Sequence, residues 1–386
     1  GKSSTKQYLN VLIYSIQRMI WTPPHKRHLC AILKGVKTFN KRRVHMSSIK
    51  ALGIDLAKLV FSIHGVDEHS KCKFRKTVKR NKLLAEIAKL PPCIIGMEAC
   101  SGAHYWAREF TKLGHDVRIM AVKFVIPYRQ NEKNDANDAE AICEAVTRPK
   151  TRFVSIKSEE QQAVLCLHRI RQGLIKDRTA RINRLRGLLA EFGLIMPKGR
   201  YPAQNAIGGI LEDAENALPM LARELLNDAW QSIRQLNEEI LKYDRKLYAL
   251  ANQMKAAKRL MGIPGIGEIT ATAVVATVND AKQFDTSRQF SAWIGLVPRQ
   301  YSTGGVARLG KISKRGEKHI RTSLIHGARA VIANCKNKTD RTSLWVKELV
   351  ERRGFKRATV ALAAKNARLI WALLRSEKEY QIDYVK

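Results

Sequence analysis

Leu226, Ile233, Ile240, Leu247 and Met254 fall seven residues apart, with Ala229, Leu236, Tyr243 and Leu250 between them, and nothing else in the chain constrains its fold as strongly. A 3.5-residue repeat lays one apolar stripe along a helix and demands a partner surface of the same kind. An upstream stretch offers one, because Leu167, Ile170, Leu174, Ile182, Leu185, Leu189 and Phe192 keep three-four spacing. A break over residues 193–206 separates the two. Residues 158–258 are therefore expected to form two long helices, packed as a coiled-coil hairpin or as an interface between copies. A plain core helix is the simpler alternative.

The flanking segments read differently. Leu52-Gly-Ile-Asp-Leu-Ala57, Leu59 to His64 and Lys71 to Val78 read as three successive strands. Lys82 to Leu90 is helical up to Pro91-Pro92, and Cys93-Ile-Ile-Gly-Met-Glu98 is a short apolar strand closing on a carboxylate. Helices over Tyr105 to Leu113 and Asp135 to Val146 enclose a further strand at Val117 to Val122. A meander followed by alternating strands and helices predicts an α/β domain over 48–155. The final part, 259–376, reads as helical and basic. The fold class expected is thus α/β plus all-α.

The 386 residues carry 70 Lys+Arg against 34 Asp+Glu, a formal charge of +36. Charge of that size says little about fold and much about partners, and nucleic acid is the partner that uses it, through release of counterions. Residues 1–45 hold ten Lys/Arg and no acid, have no sustained period, and read as a poorly ordered basic extension ahead of Met46. A basic arm lying on nucleic acid is the functional alternative. No run is apolar and long enough to span a bilayer, and the Tyr8 to Trp21 stretch lacks a cleavage site, so a cytoplasmic, nucleoid-associated protein is expected. Seven cysteines without a C-x-x-C pair read as reduced thiols rather than a disulfide framework or zinc site.

Four carboxylates stand out. Asp55 lies mid-strand between Ile54 and Leu56, where a charge is costly unless compensated. An ion pair would explain it alone. Glu98 ends a strand, where open α/β sheets gather ligand-binding groups. Asp135 and Asp138 are one helical turn apart, where capping and the helix dipole also favour acids. Together the four can converge on two divalent cations such as Mg²⁺, which take oxygen ligands and clamp the attacking and leaving oxygens of a phosphodiester.

In that order, Gly53-Ile-Asp-Leu-Ala57, Met97-Glu-Ala99 and Lys133-Asn-Asp-Ala-Asn-Asp-Ala139 resemble the D-E-D-D blocks of DEDD-type insertion-sequence transposases, the bridge-RNA-guided recombinases. Gly262-Ile-Pro-Gly-Ile-Gly267, Gly295-Leu-Val-Pro298, Gln300-Tyr-Ser-Thr-Gly-Gly305 and Ile312-Ser-Lys-Arg-Gly316 extend the resemblance to about residues 48–375. It implies a RuvC/RNase H-like mixed sheet, long coiled-coil helices and a C-terminal domain with a helix-hairpin-helix-like element. It also implies a Mg²⁺ site at Asp55, Glu98, Asp135 and Asp138, a guide RNA, DNA element ends and target as partners, and a dimer or tetramer.

In Tyr301-Ser-Thr-Gly-Gly305, a hydroxyl beside two glycines permits close approach to phosphate, with Arg299, Arg308, Lys311 and Lys314 nearby to offset negative charge. An ordinary polar turn is the alternative from the residues alone. The resemblance implies that Ser302 is a nucleophile forming a phosphoserine link, with Thr303 and Ser313 as neighbouring alternatives. Gly265 and Gly267 sit in a turn whose N–H groups and following helix suit phosphate. Arg169, Arg171, Arg178, Arg181, Arg184 and Arg186 crowd one helical segment against Asp177 alone, which favours DNA or structured RNA. Two further functions fit the same residues: a metal-dependent junction endonuclease using water, and a non-enzymatic nucleic-acid-binding scaffold.

Overall fold

The computed structural model describes residues 49–381 apart from Asn131, Lys133 and Asn279, so the basic extension over 1–45 lies outside the described residues. Its sheet begins with β1 (Ala51–Leu56), β2 (Val60–Val66) and β3 (Cys72–Lys79) in an antiparallel meander. A short helix α1 (Leu83–Ile87), β4 (Ile94–Glu98), α2 (Ala103–Lys112), β5 (Asp116–Met120), α3 (Asp135–Thr147) and β6 (Phe153–Val154) follow. The strand order is β3-β2-β1-β4-β5-β6, with β1, β4 and β5 parallel and the rest antiparallel.

β1 is central and covered on both faces, which is why its sequence is a nearly continuous apolar run. Leu52 and Ile54 pack with Phe61, Ile63, Trp106 and Phe110 on one face. Ala51 packs with Ile142, Cys143 and Val146 of α3 on the other. β3 is the opposite case: Lys73, Arg75, Lys76 and Lys79 leave it a charged edge, which discourages pairing with another chain.

Ser158 caps α4 (Glu159–Ala190) through a capping box with Gln161. α5 (Arg200–Glu212) and α6 (Met220–Gln253) complete the middle of the chain. Part of the expected break is therefore helix; Gly208 and Gly209 mid-helix hide its pattern. Arg171 pairs with Asp244 and Arg178 with Asn237, so α4 and α6 run antiparallel. Leu226, Ile233, Leu236, Ile240 and Leu247 are buried, Leu226 and Ile233 in a core with Ile182, Leu185 and Leu189, so the seam is closed within the chain. Met254 falls just past the end of α6.

The remainder comprises α7 (Lys255–Met261), α8 (Glu268–Thr277), α9 (Ser287–Ile294), β7 (Pro298–Thr303), β8 (Val306–Ile312), α10 (Lys318–Ala333), α11 (Arg341–Arg353) and α12 (Phe355–Ser376). Leu260, Ile263, Phe290, Ile320, Leu324, Leu362 and Ile370 form its core. This part is not wholly helical as expected: 298–312 is a β-hairpin. Thr303 and Val306 pair across Gly304 (φ 58°) and Gly305 (φ 80°), a two-residue turn that needs positive φ at both positions. The glycine pair is therefore explained by the turn.

Candidate active site and nucleic-acid interface

The strand register brings the carboxylates to one place. Gly53 and Gly96 are partners in the parallel β1–β4 pair. A Cβ on Gly53 would overlap Ala139 O and Cys143 N of α3, and one on Gly96 would stand 2.7 Å from Val146 Cβ. Both glycines thus face α3. Asp55 and Glu98 lie two residues further along the same strands, hence on the same face, just past the crossing. Cys143 Sγ lies 3.5 Å from Ala51 O, whereas Ala139 meets Gly53, so α3 runs against β1. Its first turn, carrying Asp135 and Asp138, therefore comes to the end where Asp55 and Glu98 stand.

Asn134 supplies the helix cap, accepting from Asn137 N at 2.8 Å, so capping does not account for Asp135 and Asp138. Asp138 Oδ1 lies 3.5 Å from Arg129, a partner that no local sequence pattern signals. Burial raises the Cys100 thiol pKa, and the charges of both Asp55 and Glu98 raise it further. Those two carboxylates thus act on one thiol, as their shared position in the register leads one to expect. All four donors are carboxylate oxygens, the chemistry a hard dication takes. Among the described residues no three His, Cys, Asp or Glu side chains share one ligand sphere as they stand. The set fits such an ion in donor type, and one of its members, Asp138, already has a cationic neighbour in Arg129.

Ser302 is elsewhere, on the hairpin. Every residue of β7, and of β8 except Ile312, is exposed, so the arm stands clear of the core. Ser302 Oγ accepts from Gln300 Nε2 at 2.7 Å and lies opposite Ala307. Arg308 is opposite Tyr301, and Arg299, Lys311 and Lys314 are exposed around the arm and its root. Ser313 belongs to that root, its N–H donating to Val297 O at 2.8 Å. Gly295 and Gly316 pack against Arg315 and Trp293 backbone there, holding the root on α9.

The six arginines divide. Arg178 is buried and donates to Asn237 Oδ1 at 3.0 Å, Arg171 is paired with Asp244, and Arg186 donates to Pro197 O at 3.0 Å. Arg171 and Arg178 tie α4 to α6, and Arg186 ties α4 to the loop after it; burial takes Arg178 away from phosphate, which corrects that part of the reading. Arg169, Arg181 and Arg184 remain on the surface. Gly265 (φ 86°) is also structural: a Cβ there would stand 2.8 Å from Gly327 O of α10. Gly267, the residue before α8, has open space around it.

Two family models match the chain's sequence. One, described as "Transposase IS116/IS110/IS902 family", matches residues 257–343, and a DEDD-type IS110 model described as "Transposase" matches residues 52–193. Over 335 residues the chain is 48% identical to a probable family 20 transposase of Pseudomonas aeruginosa, covering 86% of this chain and 99% of that one. It is 44% identical to the transposase for insertion sequence element IS1111A of Coxiella burnetii, over 93% of this chain and 99% of that one. The chain belongs to the IS110 transposase family. Within the transposase, the carboxylates fall in the segment matched over 52–193 and Ser302 in the segment matched over 257–343. Among the described residues no helix is long and apolar enough to cross a membrane. The described cysteines are all free, with Cys93, Cys143 and Cys335 buried.

A junction that the sequence did not signal joins the two parts of the transposase. His168 of α4 is buried, with Nε2 3.0 Å from Thr272 Oγ1 of α8 and its ring 5.2 Å from that of His319. Burial, then the neighbouring His319 and Arg171, hold its pKa down to about 4. Because the folded pKa lies below the unfolded one, the unfolded chain takes up the proton first on acidification. The contribution of His168 is complete above about pH 6.5 and is lost as pH falls toward 4, a change of roughly 3 kcal/mol. The denaturation midpoint should therefore drop steeply over that window, and His168→Gln should flatten the slope.

Proposed function

We propose that this transposase cuts and rejoins DNA with the Ser302 hydroxyl as nucleophile and with Mg²⁺ held by Asp55, Glu98, Asp135 and Asp138. The reading rests above all on the convergence of those carboxylates at one end of a RuvC-like sheet, in a chain whose net charge is +36. Ser302 Oγ attacks phosphorus, one P–O bond breaks, and the released strand end later reverses the step onto a new partner. Two bound ions would supply charge neutralisation at the attacking and leaving oxygens. The chain's own groups do the rest. Arg299, Arg308, Lys311 and Lys314, on the arm and at its root, bind the DNA backbone around the serine. The exposed arm brings the hydroxyl to a phosphate that the carboxylates reach from another side.

An arm covered by no other element suits a site completed by a second copy. In this reading α4 and α6 form a coiled coil whose outer residues Leu221, Leu225 and Leu241, each more than half exposed, join copies into a dimer and then a tetramer. The turn before Gly267, with α8 behind it, acts as a helix-hairpin-helix-like DNA contact. Arg169, Arg181 and Arg184 bind DNA or a structured non-coding RNA that serves as guide, and the protein works at the nucleoid.

Mixing an Asp55→Ala protein with a Ser302→Ala protein tests the shared site. Recovered strand exchange in the mixture, with each variant inactive alone, is the result expected of a site built between copies. A mixture as dead as its parts would place both halves in one chain.

A further inference from the structure

A cleft of about 750 Å³ opens in the sheet domain, lined by Leu59, Val60, Lys79, Arg80, Tyr105 and Trp106 among others. Its position ties it to the carboxylates. Leu59 and Val60 stand where the chain turns into β2, two residues past the end of β1 that carries Asp55, and Lys79 is the register partner of Val60. Tyr105 and Trp106 lie in the first turn of α2, a short loop after Glu98. Asp55 and Glu98 face α3, whereas Trp106 packs on the opposite face of the sheet. The cleft and the carboxylates therefore share one end of the sheet, on either side of its edge.

The lining has two kinds of surface. Leu59 is 68% exposed and Tyr105 41%, an unusual amount of open apolar area for such short segments. Tyr105 stands edge-on to Trp106 with centroids 5.1 Å apart, and the Arg80 guanidinium lies 5.1 Å over the Trp106 ring. Lys79 lines the cleft and is exposed, Lys58 and Lys82 are exposed next in sequence to Leu59 and Asn81, and no acidic residue lines the cleft. Aromatic and guanidinium planes stack on bases, while cations at the rim take the flanking phosphates. A duplex keeps its base faces stacked and offers nothing to the apolar floor.

We propose that this cleft holds an unpaired nucleotide of the DNA strand being cut, its base against Tyr105 and Arg80 and its phosphates against Lys58 and Lys79. The assignment rests on the carboxylates being the cleavage site, which lies across the sheet edge from the cleft. A strand passing over that edge reaches both, so the cleft sets which nucleotide stands next to the scissile phosphate.

Binding tested in chelator, without divalent ions, separates this proposal from the cleavage reading, because it needs neither the carboxylates nor Ser302. The probes are a labelled oligothymidylate and a labelled duplex of equal length, followed by fluorescence anisotropy. Tyr105→Ser should weaken the single strand about tenfold and leave the duplex unchanged, and Tyr105→Phe should keep the original affinity. Leu59→Glu, at an exposed position that folding does not use, should weaken the single strand likewise, and it carries the test if Tyr105→Ser lowers the unfolding midpoint. Equal losses on both probes, no loss with Leu59→Glu, or tighter binding of the matching RNA oligomer would overturn the proposal. The cleavage reading fails on a different result, continued cutting by a carboxylate variant.

Discussion

Asp55→Asn should abolish strand cleavage, a fall of at least about a thousandfold, while DNA affinity stays within about twofold. The change keeps the side chain's shape and removes its charge, so it removes a hard-cation ligand without opening a hole in β1. Affinity should survive because the proposed phosphate contacts are the cations around the hairpin and on α4, which the substitution leaves in place. Glu98→Gln should behave the same way, since Glu98 occupies the matching step of the neighbouring strand. Raising Mg²⁺ should recover part of the activity of either variant if the lost ligand is one of several. Gel assays of nicking and filter binding on the same preparations check both halves of the expectation. Near-normal cleavage by Asp55→Asn would return Asp55 to the role of a structural ion-pair partner.

The largest effect on folding is expected at Gly53. An added Cβ would overlap the backbone of Ala139 and Cys143, and backbone cannot swing aside as a long side chain can. Gly53→Ala should therefore cost about 3 kcal/mol or more, at the upper end of overpacking, by lifting α3 off β1. Because α3 carries Asp135 and Asp138, the lift should also separate them from Asp55 and Glu98. Denaturant unfolding and cleavage should fail together in this variant. In Asp55→Asn they should part company, with stability kept and cleavage lost. A Gly53→Ala protein of normal stability would mean that α3 does not seat on β1 at this glycine.

The sheet was legible because burial on both faces writes itself as apolar runs, as in Leu52-Gly-Ile-Asp-Leu56, and a carboxylate inside such a run is conspicuous. The seam of α6 was legible for the same reason, its heptads being a direct image of one buried stripe. The β7–β8 arm was not, since strands exposed on all sides have no apolar alternation to show. Only Gly304-Gly305 between Thr303 and Val306 hinted at a tight hairpin. Long-range partners were equally silent. Nothing near Arg171 or Arg178 announces Asp244 or Asn237, so a structural pairing looked like a phosphate-binding face. Gly265 looked like a phosphate turn because Gly327, the backbone it must clear, lies 62 residues away.

The role of Ser302 is the central claim, and trapped protein–DNA adduct reads it most directly. Wild-type protein stalled on a nicked substrate, denatured and digested with trypsin, should yield DNA-linked peptide covering Gln300–Arg308, with the nucleotide on the Ser302 oxygen in fragment spectra. Ser302→Ala, prepared alongside and binding the same substrate, should yield no linked peptide at all. Linkage at Thr303 or Ser313, or strand cleavage by the Ser302→Ala protein at the wild-type rate without any adduct, would contradict the account and point instead to another hydroxyl or to water as the nucleophile.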